Sequence, residues 1–195
     1  FTTGPAPGLP VGNTIAAVSP PTINSSNEVA FVARLSGPDV TSDDRFALVA
    51  NGSIEARTGQ QIPNAPVGET FEGFASNPSI NDQGDVANVV FVNDVNTLGL
   101  YSAGRLVATT GDPITDFETG LATGAFLGSQ FTGQAGINND GAAIFSGFLT
   151  DSDNDSSNNL GIFLAEQTGG LKLLLRSGEE VLVDGIAQNL GVILL

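Results

Sequence analysis

Histidine, cysteine, methionine and tryptophan are all missing from the 195 residues, and tyrosine occurs once. No Ser-His-Asp triad, cysteine nucleophile, Cys/His zinc site, disulfide or His-, Met- or Cys-ligated haem can be assembled from such a chain. The lack of disulfides leaves the compartment open, since secreted proteins also do without them. Bases are scarce: six Lys and Arg stand against 21 Asp and Glu, for a net charge of -15. A surface that acidic repels phosphate backbones and anionic lipid, so nucleic acid and membrane surfaces are poor partners. Long apolar runs are lacking as well. The longest, Leu171–Leu175 and Gly191–Leu195, fall far short of the roughly 20 residues that span a bilayer. No basic segment followed by an apolar run opens the chain and Phe1 is not a start residue, so the sequence reads as a processed product or a fragment. What remains, 41% apolar residues with 25 glycines and 10 prolines, suffices for one core of modest size.

The chain repeats itself. Ile23-Asn24-Ser25-Ser26-Asn27-Glu28-Val29-Ala30-Phe31 aligns with Ile80-Asn81-Asp82-Gln83-Gly84-Asp85-Val86-Ala87-Asn88 and with Ile137-Asn138-Asn139-Asp140-Gly141-Ala142-Ala143-Ile144-Phe145. The leading asparagines are 57 residues apart both times. Pro10-Val11-Gly12-Asn13-Thr14 has a twin in Pro66-Val67-Gly68-Glu69-Thr70, and Thr3-Gly4 matches Thr58-Gly59. The expected organisation is a single repeat domain over 1–195: a partial unit at 1–23, units at 24–80 and 81–137, and a third at 138–195 that continues into an incomplete linker.

Within each unit the period is that of β-structure. Runs rich in Val and Phe at 29–35, 86–92 and 142–149 are followed by a polar loop. Second runs at 46–50, 98–102 and 160–165 then lead through Asn51-Gly52, Ala103-Gly104 or Gly169-Gly170 into third runs at 54–57, 106–109 and 171–176. Asn-Gly between apolar runs is a strong hairpin signal. A further short strand is expected near Phe71–Phe74 or Ala125–Phe126, and no segment carries a capped helical pattern beyond two turns. The fold expected is all-β, with tandem β-propeller-like blades, three plus partial units, open or completed by neighbouring chains; a β-solenoid or sandwich is the alternative. A unit of this size cannot bury its own apolar face, so stacking between units must carry the stability.

In the Asn-x-x-Gly step (Asn81 to Gly84, Asn138 to Gly141) the Asn side chain can bond backbone amides two residues on, and the glycine supplies positive φ. Asn27 takes the glycine's place after Asn24, as the next most tolerant residue. These residues are therefore expected to be structural, with Phe31 and Phe145 filling space between sheets and Asn88 breaking the pattern. The pattern Asn24/Ala30/Phe31, Asn81/Gly84/Ala87 and Asn138/Gly141/Phe145 resembles the bacterial secreted and surface proteins built of tandem Asn-x-x-Gly-x-x-x-Ala-Phe-type β-repeats, the choice-of-anchor tandem-repeat proteins. That resemblance implies a secreted or surface-attached β-repeat protein and transfers no catalytic residue.

The sharpest chemical candidate is the loop 151–159. Asp151, Asp153, Asp155 and Asn159, with the Ser157 carbonyl, fall where Asp-rich loops place oxygen ligands for calcium, although Ser156 stands where glycine is usual. Three carboxylates about 6 Å apart repel by only ~0.7 kcal/mol per pair in water, so a bare solvated loop is the competing reading. Two acids alone can hydrolyse a glycoside, yet Glu28, Glu72, Asp85 and Glu118 carry no motif that separates them from surface charge. The protein is accordingly expected not to be an enzyme. The expected role is that of an extracellular or cell-surface structural or adhesive protein, acting by surface presentation and self-assembly, with calcium as candidate cofactor. Self-association or filament assembly is expected through the apolar strand Gly191–Leu195 adding to a neighbour's edge. A lectin-like ligand-binding propeller is the alternative, and a carboxylate glycoside hydrolase the lesser one.

Overall fold

The structure, a computed structural model, describes residues 4–75, 77–93, 97–120, 122–150, 159–183 and 186–189. All regular structure among them is β. Strands β1 (Thr14–Val18), β2 (Thr22–Ile23), β3 (Val29–Ser36), β4 (Phe46–Ala50) and β5 (Ser53–Arg57) make a first sheet in the order β1-β3-β4-β5, with β2 also paired to β3. Strands β6 (Phe71–Phe74), β7 (Ser79–Ile80), β8 (Val86–Val92), β9 (Leu98–Ser102) and β10 (Arg105–Thr109) repeat that layout in a second sheet, β6-β8-β9-β10 with β7 on β8. Strands β11 (Pro113–Asp116), β12 (Ala122–Ile137), β13 (Ala143–Thr150), β14 (Leu160–Ala165) and β15 (Leu171–Arg176) form the third, and a ribbon of β16 (Glu180–Val183) with β17 (Ile186–Asn189) follows.

The apolar runs thus become β3 to β5, β8 to β10 and β13 to β15, three antiparallel meanders. The Phe71–Phe74 strand forms as expected, and Ala125–Phe126 lie inside the much longer β12. The third sheet departs from the other two. Its first strand, β11, pairs antiparallel with β12 and parallel with β15, closing the sheet into a five-stranded barrel. Ile114 and the ring pairs Phe131–Phe145 and Phe145–Phe163, 5.1 and 5.4 Å between centroids, belong to the core there. The coarse expectation of an all-β chain stands, and the third sheet differs from the first two in closing on itself.

The sheets pack face to face. In β8, Val86, Val90 and Val92 join a cluster with Ala30, Leu48 and Ala56 of the first sheet. Ala87 and Val89, pointing the other way, join one with Phe145, Phe163 and Leu173 of the third. A strand of period 2 that is buried on both sides has no polar face to keep, which is why 86–92 reads as an almost unbroken apolar run. Phe31, one face over from Ala30, lies on the outer side of the first sheet. There Ala33, Leu35 and Val49 are covered by Ala6 and Leu9, so Phe31 fills no space between two sheets, whereas Phe145 does.

Sheet connections also recur. Gly59 N–H donates to the Phe71 carbonyl and Phe71 N–H to that of Gln60; Gly111 and Leu127 do the same with Asp112. Each Thr-Gly turn therefore stitches the last strand of one sheet to a strand of the next, β6 in the second and β12 in the third.

Candidate functional site: three asparagine corners in register

Asn24, Asn81 and Asn138 close three copies of one turn. In each, Oδ1 accepts the backbone N–H two residues on (3.0 Å in all three) and four residues on (2.8, 2.8 and 2.9 Å). The third residue on has positive φ: 63° at Asn27, 85° at Gly84 and 77° at Gly141. The geometry expected of the Asn-x-x-Gly step is present at every copy, Asn27 included.

The unexpected part is what the amide nitrogens do. Asn24 Nδ2 donates to the Asn81 carbonyl at 2.7 Å, and Asn81 Nδ2 to the Asn138 carbonyl at 2.8 Å, each across 57 residues of sequence. The next position repeats this. Ser25 N–H and Oγ donate to Asp82 Oδ1 at 3.1 and 2.6 Å, and Asp82 N–H donates to Asn139 Oδ1 at 3.1 Å. Asn81 is 4% exposed and uses both acceptor and both donor sites, the last on Asp85 Oδ2 at 3.2 Å. Only a carboxamide of this length offers two donors beside two lone pairs, so Asp or Ser could close the turn but not bridge it to the next. The repeat distance itself was the available signal: equal spacing demands equivalent surroundings, and stacked equivalents can bond each other.

Glu28 and Asp85, weighed from sequence as catalytic acids, sit at equivalent places and accept the amides of Asn24 and Asn81 at 2.6 and 3.2 Å. They cap the ladder, one in each of the first two corners, and Ala142 takes that place in the third. Asp82 is held below the usual carboxylate range, first by the Ser25 hydroxyl and then by the Ser25 amide. Pro78 sits between the sheets, its carbonyl accepting from Thr22 Oγ1 at 3.0 Å and Gln134 Nε2 at 2.7 Å. Around the second junction Ser102 Oγ and Gln167 Nε2 donate to the Gly141 carbonyl at 2.9 and 2.7 Å.

Of the expected calcium ligands, Asp151, Asp153, Asp155 and Ser157 lie outside the described residues, as does the Gly191–Leu195 tail. Asn159 is described, and its carbonyl accepts Leu149 N–H at 2.6 Å at the base of the β13–β14 hairpin. No group of three or more metal-binding side chains occurs among the described residues. Arg57 ties down its own sheet's loop, with Nη2 2.9 Å from Asp44 Oδ2 and Nε 2.6 Å from the Asp44 carbonyl. A groove of about 360 Å³ beside it is lined by Pro7, Leu9, Ile54, Arg57 and Gln60 among others, with no aromatic platform for a sugar.

No helix among the described residues is long and apolar enough to cross a membrane. No curated protein and no solved structure matches the sequence. The model of one family matches residues 2–193, nearly the whole chain, and on that match the protein belongs to the family of unknown function DUF7453.

Proposed function

We propose that this chain is an extracellular structural or adhesive module of propeller-like β-units, whose work is presentation and assembly at a surface rather than turnover of a substrate. The observation that carries the reading is the asparagine ladder: the side-chain amides of Asn24 and Asn81 are spent on joining sheet to sheet. The resemblance of the Asn24, Asn81 and Asn138 motifs to tandem-repeat surface proteins supports the same reading. So does the antiparallel meander that recurs in each sheet, with β7 lying against β2 and β3, and β12 against β7, β8 and β9.

Antibody labelling of intact and fractionated source cells tests it. Label retained on the outside of the cell is expected, and label confined to the cytoplasm would overturn the reading. Calcium at Asp151, Asp153, Asp155, Ser157 and Asn159 belongs to the same proposal. If the loop is loaded, millimolar calcium at about 100 times its Kd raises stability by about 2.7 kcal/mol, seen as a higher melting temperature that EDTA reverses and magnesium does not reproduce. An unchanged melting curve removes the ion from the account.

A further inference from the structure

We propose that a second copy of this chain docks head to tail on the first, with the Asn138 corner of one copy bonding the Asn24 corner of the next. This rests on the assembly reading above and names its contact surface.

The ladder has a direction. Every bond between corners runs from a donor on one sheet to an acceptor on the following sheet: Asn24 to Asn81, Asn81 to Asn138, Ser25 to Asp82, Asp82 to Asn139. At the far end, Asn138 Nδ2 and Asn139 N–H have no acceptor among the described residues, and both residues are exposed. At the near end, the Asn24 carbonyl and Ser25 Oγ accept from no other sheet among the described residues. One end carries the donors that the other end lacks.

The apolar faces follow the same polarity. Ala30 and Ala87 point to the following sheet and are fully buried by it. Ile144 holds that position in the third sheet and is 44% exposed. Opposite it on β14 is Leu164, and Ile162 and Phe148 continue the face, all half-buried. In the other direction, Asn88 and Phe145 are buried against the preceding sheet, while Phe31 at the same position is only half-buried. Beside Phe31 lies an open groove of about 390 Å³ lined by Asn27, Glu28, Val29, Asn51 and Gly52. At both internal junctions the equivalent place is occupied by the preceding sheet's hairpin turn. A Cβ at Gly84 would lie 3.0 Å from Asn51 Nδ2, and one at Gly141 would lie 3.1 Å from the Ala103 Cβ. The corresponding turn of the third sheet is Gly169-Gly170, so a second copy brings that turn to the groove, its Asn138 amide to the Asn24 carbonyl and its Ile144 face to Phe31. The contact joins two different surfaces, so copies either close a ring or run on as a filament, according to the rotation at each step.

The chain's lack of cysteine makes a clean test. Ser25, Asp82 and Asn139 form one row of the ladder, so Asn139 of one copy should meet Ser25 of the next. Mixing the single variants Ser25→Cys and Asn139→Cys under oxidation should give the mixed disulfide in roughly tenfold excess over either symmetric one, because only facing Cβ atoms can be bridged. Sedimentation velocity of the full chain should show mass rising with concentration. Ile144→Glu should weaken that association on the order of a hundredfold by burying a charge at the contact, and Val67→Glu, in a fully exposed turn, should leave it unchanged. Symmetric disulfides in equal yield, a monomer at about millimolar concentration, or an association indifferent to Ile144→Glu would each overturn the stacking. Monomers retained on the cell surface overturn the stacking alone; stacked copies confined to the cytoplasm overturn the surface reading alone.

Discussion

Tyr101, the single tyrosine, is 2% exposed, with its ring edge-on to Phe71 at 5.4 Å. Burial, and after it the negative charge of Glu55, pushes its phenol up to about 12. The folded state therefore holds this proton more tightly than the unfolded chain, whose tyrosine titrates near 10. Stability from Tyr101 is complete below about pH 10 and is lost as the pH climbs towards about 12, by at most ~1.4 kcal/mol per unit. Phenolate absorbance, which reports this one residue, should rise with a midpoint near 12 and coincide with loss of the β-sheet signal; a reversible midpoint near 10 with the fold intact would contradict the burial. A second residue carries strain instead of charge. Ala103 has φ of 45° in the β9–β10 turn, where Asn51 and Gly169 serve the other sheets. Left-handed geometry costs an alanine roughly 1–2 kcal/mol, and glycine's extra chain entropy cancels part of the relief. Ala103→Gly should consequently stabilise by about 0.5–1 kcal/mol in denaturant titrations.

At the scale of elements, the corners separate two roles of asparagine that the sequence presents as one. Asn81→Asp keeps an Oδ oxygen for the turn but replaces two donors by a charged acceptor facing the Asn138 carbonyl and the Asp85 carboxylate. It should cost about 2–4 kcal/mol, whereas Asn138→Asp, with no described acceptor to lose, should cost under about 1 kcal/mol in the dilute monomer. Equal costs, measured by chemical denaturation, would mean that the turn is all that matters. Strands and turns were legible in the sequence because their signals are local: the Val- and Phe-rich runs became β3, β8 and β13, and Gly84 and Gly141 took positive φ. The ladder was legible only in part. The 57-residue spacing announced equivalent corners, yet nothing local in Asn81 says that its amide reaches 57 residues ahead. The closure of the third sheet was not legible at all, since β11 pairs with β15 through contacts between residues such as Ile114 and Leu171 that carry no shared motif. Strands β1, β2 and β7, short and set beside Pro20, Pro21 and Pro78, have too few alternations to announce themselves.

For the whole molecule, the middle sheet decides how the chain unfolds. Val86–Val92 is buried on both faces, so parting it from either neighbour exposes apolar surface at once, and the three sheets should melt as a unit. Charge opposes that unit. Of the six bases, Arg57 and Lys172 are held in ion pairs at 2.9 and 2.8 Å, while 21 acids leave the net charge at -15. Salt therefore has little attraction to screen and much repulsion, and the Debye length falls from about 30 Å at 0.01 M to about 3 Å at 1 M. Sodium chloride, which screens without the strong exclusion of sulfate, should raise the melting temperature. If about 1 kcal/mol of self-repulsion is removed, a chain of this size gains roughly 2–4 °C. The rise should appear in dilute solution, where copies do not meet, and should be larger at high protein concentration if screening also lets them stack. A melting temperature that falls with salt at every concentration would mean that the fold depends on attraction between charges, and the account of packed sheets joined by neutral amides would have to be abandoned.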